Sequence, residues 1–173
     1  MRFASTILLM LSVATPAFAG KISEPAKGVT LTYNSNLWEA RLDQKDIVLS
    51  CMVSGCGGDC DVVLTMTPTG LISHEFFDRF RNEINKNKIV SGSEYGLDPV
   101  VIDKPTITTI GGKDVSVSSV RLRALGSPMR EWMAVEEASF GVVTLTCNGS
   151  EDEYEAARKT WQDLVKGIVI PKE

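Results

Sequence analysis

The 173-residue chain has a single histidine, His74. A catalytic histidine needs a nucleophile or an orienting carboxylate set beside it by some motif. None surrounds His74, which reads as an exposed first-turn residue of a predicted helix, next to Glu75. A C-x-x-C pair is also missing, and with it both the thiol-redox motif and the zinc knuckle. Gly57-Gly58 and Gly111-Gly112 lie outside any phosphate-cradling or dinucleotide-binding pattern and read as turns. There is no internal repeat and no long Pro, Gly or Ser tract. After the first twenty residues no run is apolar enough to cross a bilayer, which takes roughly 20 apolar residues. These absences leave no catalytic set, no metal site and no cofactor to assign, and no membrane anchor is expected.

The first twenty residues carry the strongest signal. Arg2 is followed by the apolar run Ile7-Leu8-Leu9-Met10-Leu11 and then by Ala17-Phe18-Ala19. A charged start, a short apolar core and an A-x-A site make a secretory signal peptide, here expected over residues 1–19 with cleavage after Ala19. No cysteine follows that site, so lipid attachment is not expected. The remaining residues, 20–173, suit one domain with room for a core. Without Arg2, the 18 Lys and Arg become 17 against 22 Asp and Glu, a net charge of −5. That balance argues against a nucleic-acid partner. The expected location is the bacterial periplasm or outside the cell.

Cys51, Cys56, Cys60 and Cys147 are an even set in an exported chain and read as two disulfides. Alternation puts Cys51 on a strand face with Ile47 and Leu49, and Cys147 on one with Val143 and Leu145. Both therefore point toward a core. Cys56 and Cys60 bracket a flexible Gly57-Gly58-Asp59 turn. The pairing favoured on these grounds is Cys51–Cys147 with Cys56–Cys60.

Strands are predicted over residues 28–33, 37–42, 46–53 and 60–67. Ile72, Phe76, Phe80 and Ile84 then repeat at helical spacing, with Phe77 widening the stripe. Residues 90–99 read as an irregular loop. A strand region over 100–110, interrupted by Pro105, leads through Gly111-Gly112 to long strands at 113–123 and 129–138 and a last strand at 141–147. Ser150-Glu151-Asp152-Glu153 has the form of a capping box. The helix it opens carries Tyr154, Ala157, Trp161, Leu164, Val165 and Ile168 on one stripe. The predicted class is α+β: an antiparallel β-sheet with two amphipathic helices packed on it.

Among charged groups, Arg121, Arg123 and Arg130 share one hairpin with Trp132. With Gly126 centring the turn, Arg121 would face Glu131, an ordinary cross-strand pair. The functional alternative is a binding face for an acidic protein or an anionic polysaccharide, marked by Trp132 or Trp38 if either is exposed. Glu136-Glu137 sit on opposite strand faces, and Glu151-Asp152-Glu153 suit a helix N-terminus, so neither reads as an acid–base pair. Asn148-Gly149-Ser150 matches a glycosylation sequon but reads first as the end of a strand.

This order of elements resembles the PsbP-like fold of photosystem extrinsic proteins, Ran-binding Mog-type proteins and periplasmic DcrB-like proteins. The resemblance is carried by Val29-Thr30-Leu31-Thr32-Tyr33 leading into Leu37-Trp38, by the Phe76-Phe77 helix and by Gly111-Gly112-Lys113 opening a long hairpin. Phe140 through Leu145 to Tyr154, Trp161 and Ile168 complete it. The cysteines are not part of the general pattern. The resemblance implies an α/β sandwich and, for most members, no enzymatic activity. The expected function is that of an exported, soluble, non-enzymatic binding or accessory protein. The alternative is an inhibitor or immunity-type protein that blocks a cell-wall enzyme with an exposed loop, either residues 90–99 or the turn between Cys56 and Cys60.

Overall fold

The computed structural model describes residues 19–66, 97–102, 106–124 and 127–172. Residues 1–18 of the predicted signal peptide, the predicted helix over 72–84 and His74 lie outside the described residues, while Ala19, the last residue before the predicted cleavage, is the first of a strand. Eleven strands and one helix are present among the described residues. They are β1 (Ala19–Ser23), β2 (Thr30–Asn34), β3 (Trp38–Asp43), β4 (Asp46–Cys51), β5 (Cys60–Met66), β6 (Leu97–Ile102) and β7 (Thr106–Ile110), then β8 (Lys113–Ala124), β9 (Ser127–Ala138), β10 (Gly141–Ser150), α1 (Tyr154–Gly167) and β11 (Ile168–Val169). The α+β class holds as a mainly antiparallel β structure. Of the two expected helices, α1 is the one among the described residues, and the other, over 72–84, falls outside them.

The large sheet runs in the order β3-β4-β5-β10-β9-β8-β6, with β7 also paired to β8. Hairpins whose strands neighbour in sequence build its two ends, and β10 joins them by pairing with β5 on one side and β9 on the other. A second sheet, β1-β2-β11, escaped the sequence reading. Its outer strands, with five residues and two, are too short to show a period. The predicted strand over 100–110 is two strands: β6 and β7 lie end to end along one edge of β8, and β6 already begins at Leu97 inside the predicted loop. The last strand continues past Cys147 to Ser150, so the Asn148 sequon lies within β10 rather than ending it. Gly149 allows this, because a Cβ there would collide with the carbonyl of Gly57.

One face of the large sheet is apolar and carries α1. Ile47, Leu49, Val62, Leu145, Ala134 and Val115 supply it from the strands, and Tyr154, Ala157, Trp161, Leu164 and Val165 cover it from the helix. Trp38, Trp132 and Trp161 are all fully buried. Each withdraws about 200 Å2 from water, or about 5 kcal/mol at 25 cal/mol/Å2 before side-chain ordering is counted. The indole Nε1–H of Trp161 donates to the carbonyl of Cys56 at 2.7 Å, so its one polar group is satisfied. The opposite face holds a smaller buried cluster of Met133, Val135 and Val142.

The helix start differs from the predicted capping box. Glu153 occupies the N-cap position, with no side-chain cap. The Ser150 hydroxyl instead accepts from the Glu153 N–H at 3.3 Å, bracing the turn that precedes the helix. Ser150 is held in β10 opposite Met129, so the helix can begin only after a three-residue turn.

All four cysteines are bridged, but as Cys51–Cys56 and Cys60–Cys147. The favoured pairing is thereby overturned, and strand order is the reason. Cys51 on β4 and Cys147 on β10 do share the core face, but β5 runs between their strands. Two strand spacings amount to about 9.6 Å, beyond the roughly 7 Å that a bridge can span. Cys60 on β5 lies directly opposite Cys147, with Cα atoms 4.1 Å apart. The Asn148 N–H donates to the Asp59 carbonyl at 3.0 Å, which makes 60/147 a non-hydrogen-bonded pair, the closer class of cross-strand pair.

Candidate functional site

The β8–β9 hairpin places the arginines differently from the sequence expectation. Ala124 pairs with Ser127, so Arg121 stands opposite Arg130 and Glu131 faces Val120. A register one residue away from the predicted one has put two cations face to face. Glu151, in the turn before α1, resolves the conflict. Its Oε1 lies 3.2 Å from Arg121 Nε and 3.4 Å from Arg130 Nη1. The Arg121 side chain is 46% exposed and that of Arg130 only 8%. A carboxylate between two guanidiniums removes the like-charge repulsion that direct opposition would create.

Arg130 also lies over the ring of Tyr154, 4.3 Å from its centroid. Tyr154 meets Trp161 edge-on at 5.8 Å, and Trp161 packs against Trp132 at 6.2 Å. Alternation along β9 sends Arg130, Trp132 and Ala134 to the same face, which leads the charged cluster into the core through a continuous aromatic column. Trp132 is therefore a core residue, not the exposed marker of a binding face, and Trp38 is buried as well. Arg123 has its backbone in β8 opposite Pro128, and its side chain lies outside the described ones.

Beside this cluster lies a cleft of about 270 Å3 between α1 and the β7–β8–β9 end of the sheet. Its polar lining comes chiefly from Thr106, Thr108, Arg130, Glu155, Arg158 and Gln162. Arg158 pairs with Glu155 one helical turn away, Nη2 to Oε2 at 3.0 Å. The lining itself carries two cations, Arg130 and Arg158, against one anion, Glu155, on a chain that is negative overall. Such a cleft suits hydrogen bonding and ion pairing with an acidic group.

Of the predicted binding-face residues, the fold brings Arg121 and Arg130 together and withdraws Trp132. Sequence reasoning missed Glu151, Tyr154 and Arg158. Glu151 sat in an acidic run already explained by the helix terminus, and Tyr154 in an apolar stripe. Only Arg158, three residues after Glu155 on an exposed helix face, left a pairing signal. Among the described residues no group of three or more His, Cys, Asp or Glu converges as metal ligands would.

The same backbone path occurs in known structures. A Bacteroides thetaiotaomicron protein matches with a TM-score of 0.61 at 12% identity over 88% of this chain, and the chain spans about half, 48%, of that protein. Cyanobacterial PsbP (CyanoP) from Synechocystis sp. PCC 6803 matches with a TM-score of 0.57 at 12% identity, covering 93% of this chain and 97% of that one. The fold is PsbP-like. At such identity the likeness extends to the fold alone, and the PsbP-like architecture hosts the arginine cleft without explaining it. No family model and no curated protein matches the sequence.

Proposed function

We propose that this chain is an exported, non-enzymatic accessory protein of the bacterial periplasm that binds an acidic protein or anionic polysaccharide through the Arg121–Arg130–Arg158 corner. The observation that carries the reading is the surplus of arginine around an open cleft on an acidic chain. Two bridges and the Ala17-Phe18-Ala19 site support export. No helix among the described residues is long and apolar enough to cross a membrane.

The test has two arms. Fractionation with mass measurement is expected to find a periplasmic chain that starts at Gly20 and has no free thiol. Immobilised poly-glutamate and a polyuronate serve as binding probes at low and high salt. Binding is expected to weaken with salt and to vanish in the Arg121→Glu/Arg158→Glu double variant. A cytosolic, unprocessed chain, or a hydrolase activity lost on changing His74, overturns the proposal.

One observation favours the inhibitor reading as a second possibility. Cys51–Cys56 ties off a short loop that presents Met52 at 56% and Val53 at 44% exposure. A braced loop with two exposed apolar side chains fits an enzyme cleft at low entropic cost. Inhibition of a cell-wall hydrolase that is lost in Met52→Asp would establish it.

A further inference from the structure

The two edges of the large sheet are built differently. Edge strand β3 carries Glu39, Arg41 and Asp43, the charged protection usual for an exposed edge. Strand β7 reads Thr-Ile-Thr-Thr-Ile, with no charge and no proline. Among the described residues it pairs with β8 alone. Thr106 through Thr109 are all exposed, Ile107 at 57%.

The turn decides which backbone groups face outward. Gly111 and Gly112 both have positive φ, 61° and 82°, the signature of a type I′ hairpin. In that hairpin the closing pair, Ile110 with Lys113, is hydrogen-bonded, and the bonded pairs alternate from there through Thr108–Val115 and Thr106–Val117. Ile107 and Thr109 thus turn their N–H and C=O groups away from β8, and together they offer two donors and two acceptors along the free edge. On the α1 side of the same strand, Thr106 and Thr108 line the cleft that holds Arg130 and Arg158. A strand added to β7 would therefore send every second side chain toward that cleft.

We propose that β7 takes up an extended acidic peptide as an added strand, seating one carboxylate of the peptide in the cleft beside Arg158. Main-chain bonds to Ile107 and Thr109 supply affinity, and the cleft selects the side chain, the division of labour in strand-addition recognition. Two arginines against one glutamate in the lining set the preference for an acid. The inference rests on the functional reading above and names its partner class.

The probe is an acetylated, amidated nonapeptide of alternating threonine and valine with a central aspartate, compared with its central-lysine counterpart. Binding of the aspartate peptide is expected to slow hydrogen exchange at the Ile107 and Thr109 amides. Ile107→Pro deletes an outward-facing donor and no β7–β8 bond, so it is expected to keep the native circular dichroism and to weaken binding about tenfold. Arg158→Glu is expected to abolish the preference for aspartate over lysine. Absence of binding, equal binding of the two peptides, or full binding by Ile107→Pro overturns the proposal. So does a dimer of the free chain that Ile107→Pro dissolves, since a second copy would then own the edge. If the nonapeptide fails while poly-glutamate still binds in an Arg121- and Arg158-dependent way, strand addition alone falls. If both fail, the binding function falls with it.

Discussion

The two bridges are expected to contribute unequally to stability, because they close loops of very different length. Cys60 and Cys147 are 87 residues apart, Cys51 and Cys56 only 5. In the chain-entropy model the long bridge removes about 4.6 kcal/mol of freedom from the denatured chain, and the short one about 2 kcal/mol. Truncating a fully buried sulfur adds a packing loss of about 1 kcal/mol per site. That applies to both Cys60 and Cys147 but only to Cys56 of the other pair, since Cys51 is half-buried. The double variant Cys60→Ala/Cys147→Ala should therefore lose about 6–7 kcal/mol, and Cys51→Ala/Cys56→Ala about 3 kcal/mol. Urea unfolding followed by tryptophan fluorescence reads the difference directly. At a slope of about 2 kcal/mol/M the midpoints should fall by about 3 M and 1.5 M. Equal falls, a larger fall for the short bridge, or a peptide map linking Cys51 to Cys147 would refute the reasoning.

Glu151→Gln is expected to destabilise by about 2 kcal/mol, because it leaves Arg121 and Arg130 opposed; the loss should shrink at high salt, measured by the same unfolding assay. Gly57→Ala should lose more than about 2 kcal/mol, since its φ is 80° and a new Cβ would collide with that of Ala157. Gly55→Ala, at φ 108° with open space around it, should lose only about 1 kcal/mol. Thermal melts that rank the two glycines the other way would contradict the docking of this loop on α1. Trp161→Phe leaves the Cys56 carbonyl without its indole donor and should cost about 2 kcal/mol in a denaturant titration.

Residues whose role is set by near neighbours in sequence were legible without coordinates. The alternation of Ile47, Leu49 and Cys51 defined a core-facing strand, Gly111-Gly112 a tight hairpin, and Tyr154, Ala157, Trp161 and Leu164 an amphipathic helix. Each follows from a period of 2 or 3.6, or from a turn that needs positive φ, and such properties are local. The resemblance to PsbP-like proteins rested on the same local features in order, and the backbone path agrees with it.

What failed depended on which strand lies beside which. The cysteine faces were read correctly, yet the pairing was wrong, because alternation is blind to β5 lying between β4 and β10. A shift of one residue in the β8–β9 turn exchanged Glu131 for Arg130 opposite Arg121 and moved the neutralising charge to Glu151, twenty-one residues after Arg130 in the chain. Periodicity assigns each side chain to a face. Only the closed hydrogen-bond register decides which residues on that face meet, and in this protein that register creates both the buried bridge and the arginine cleft.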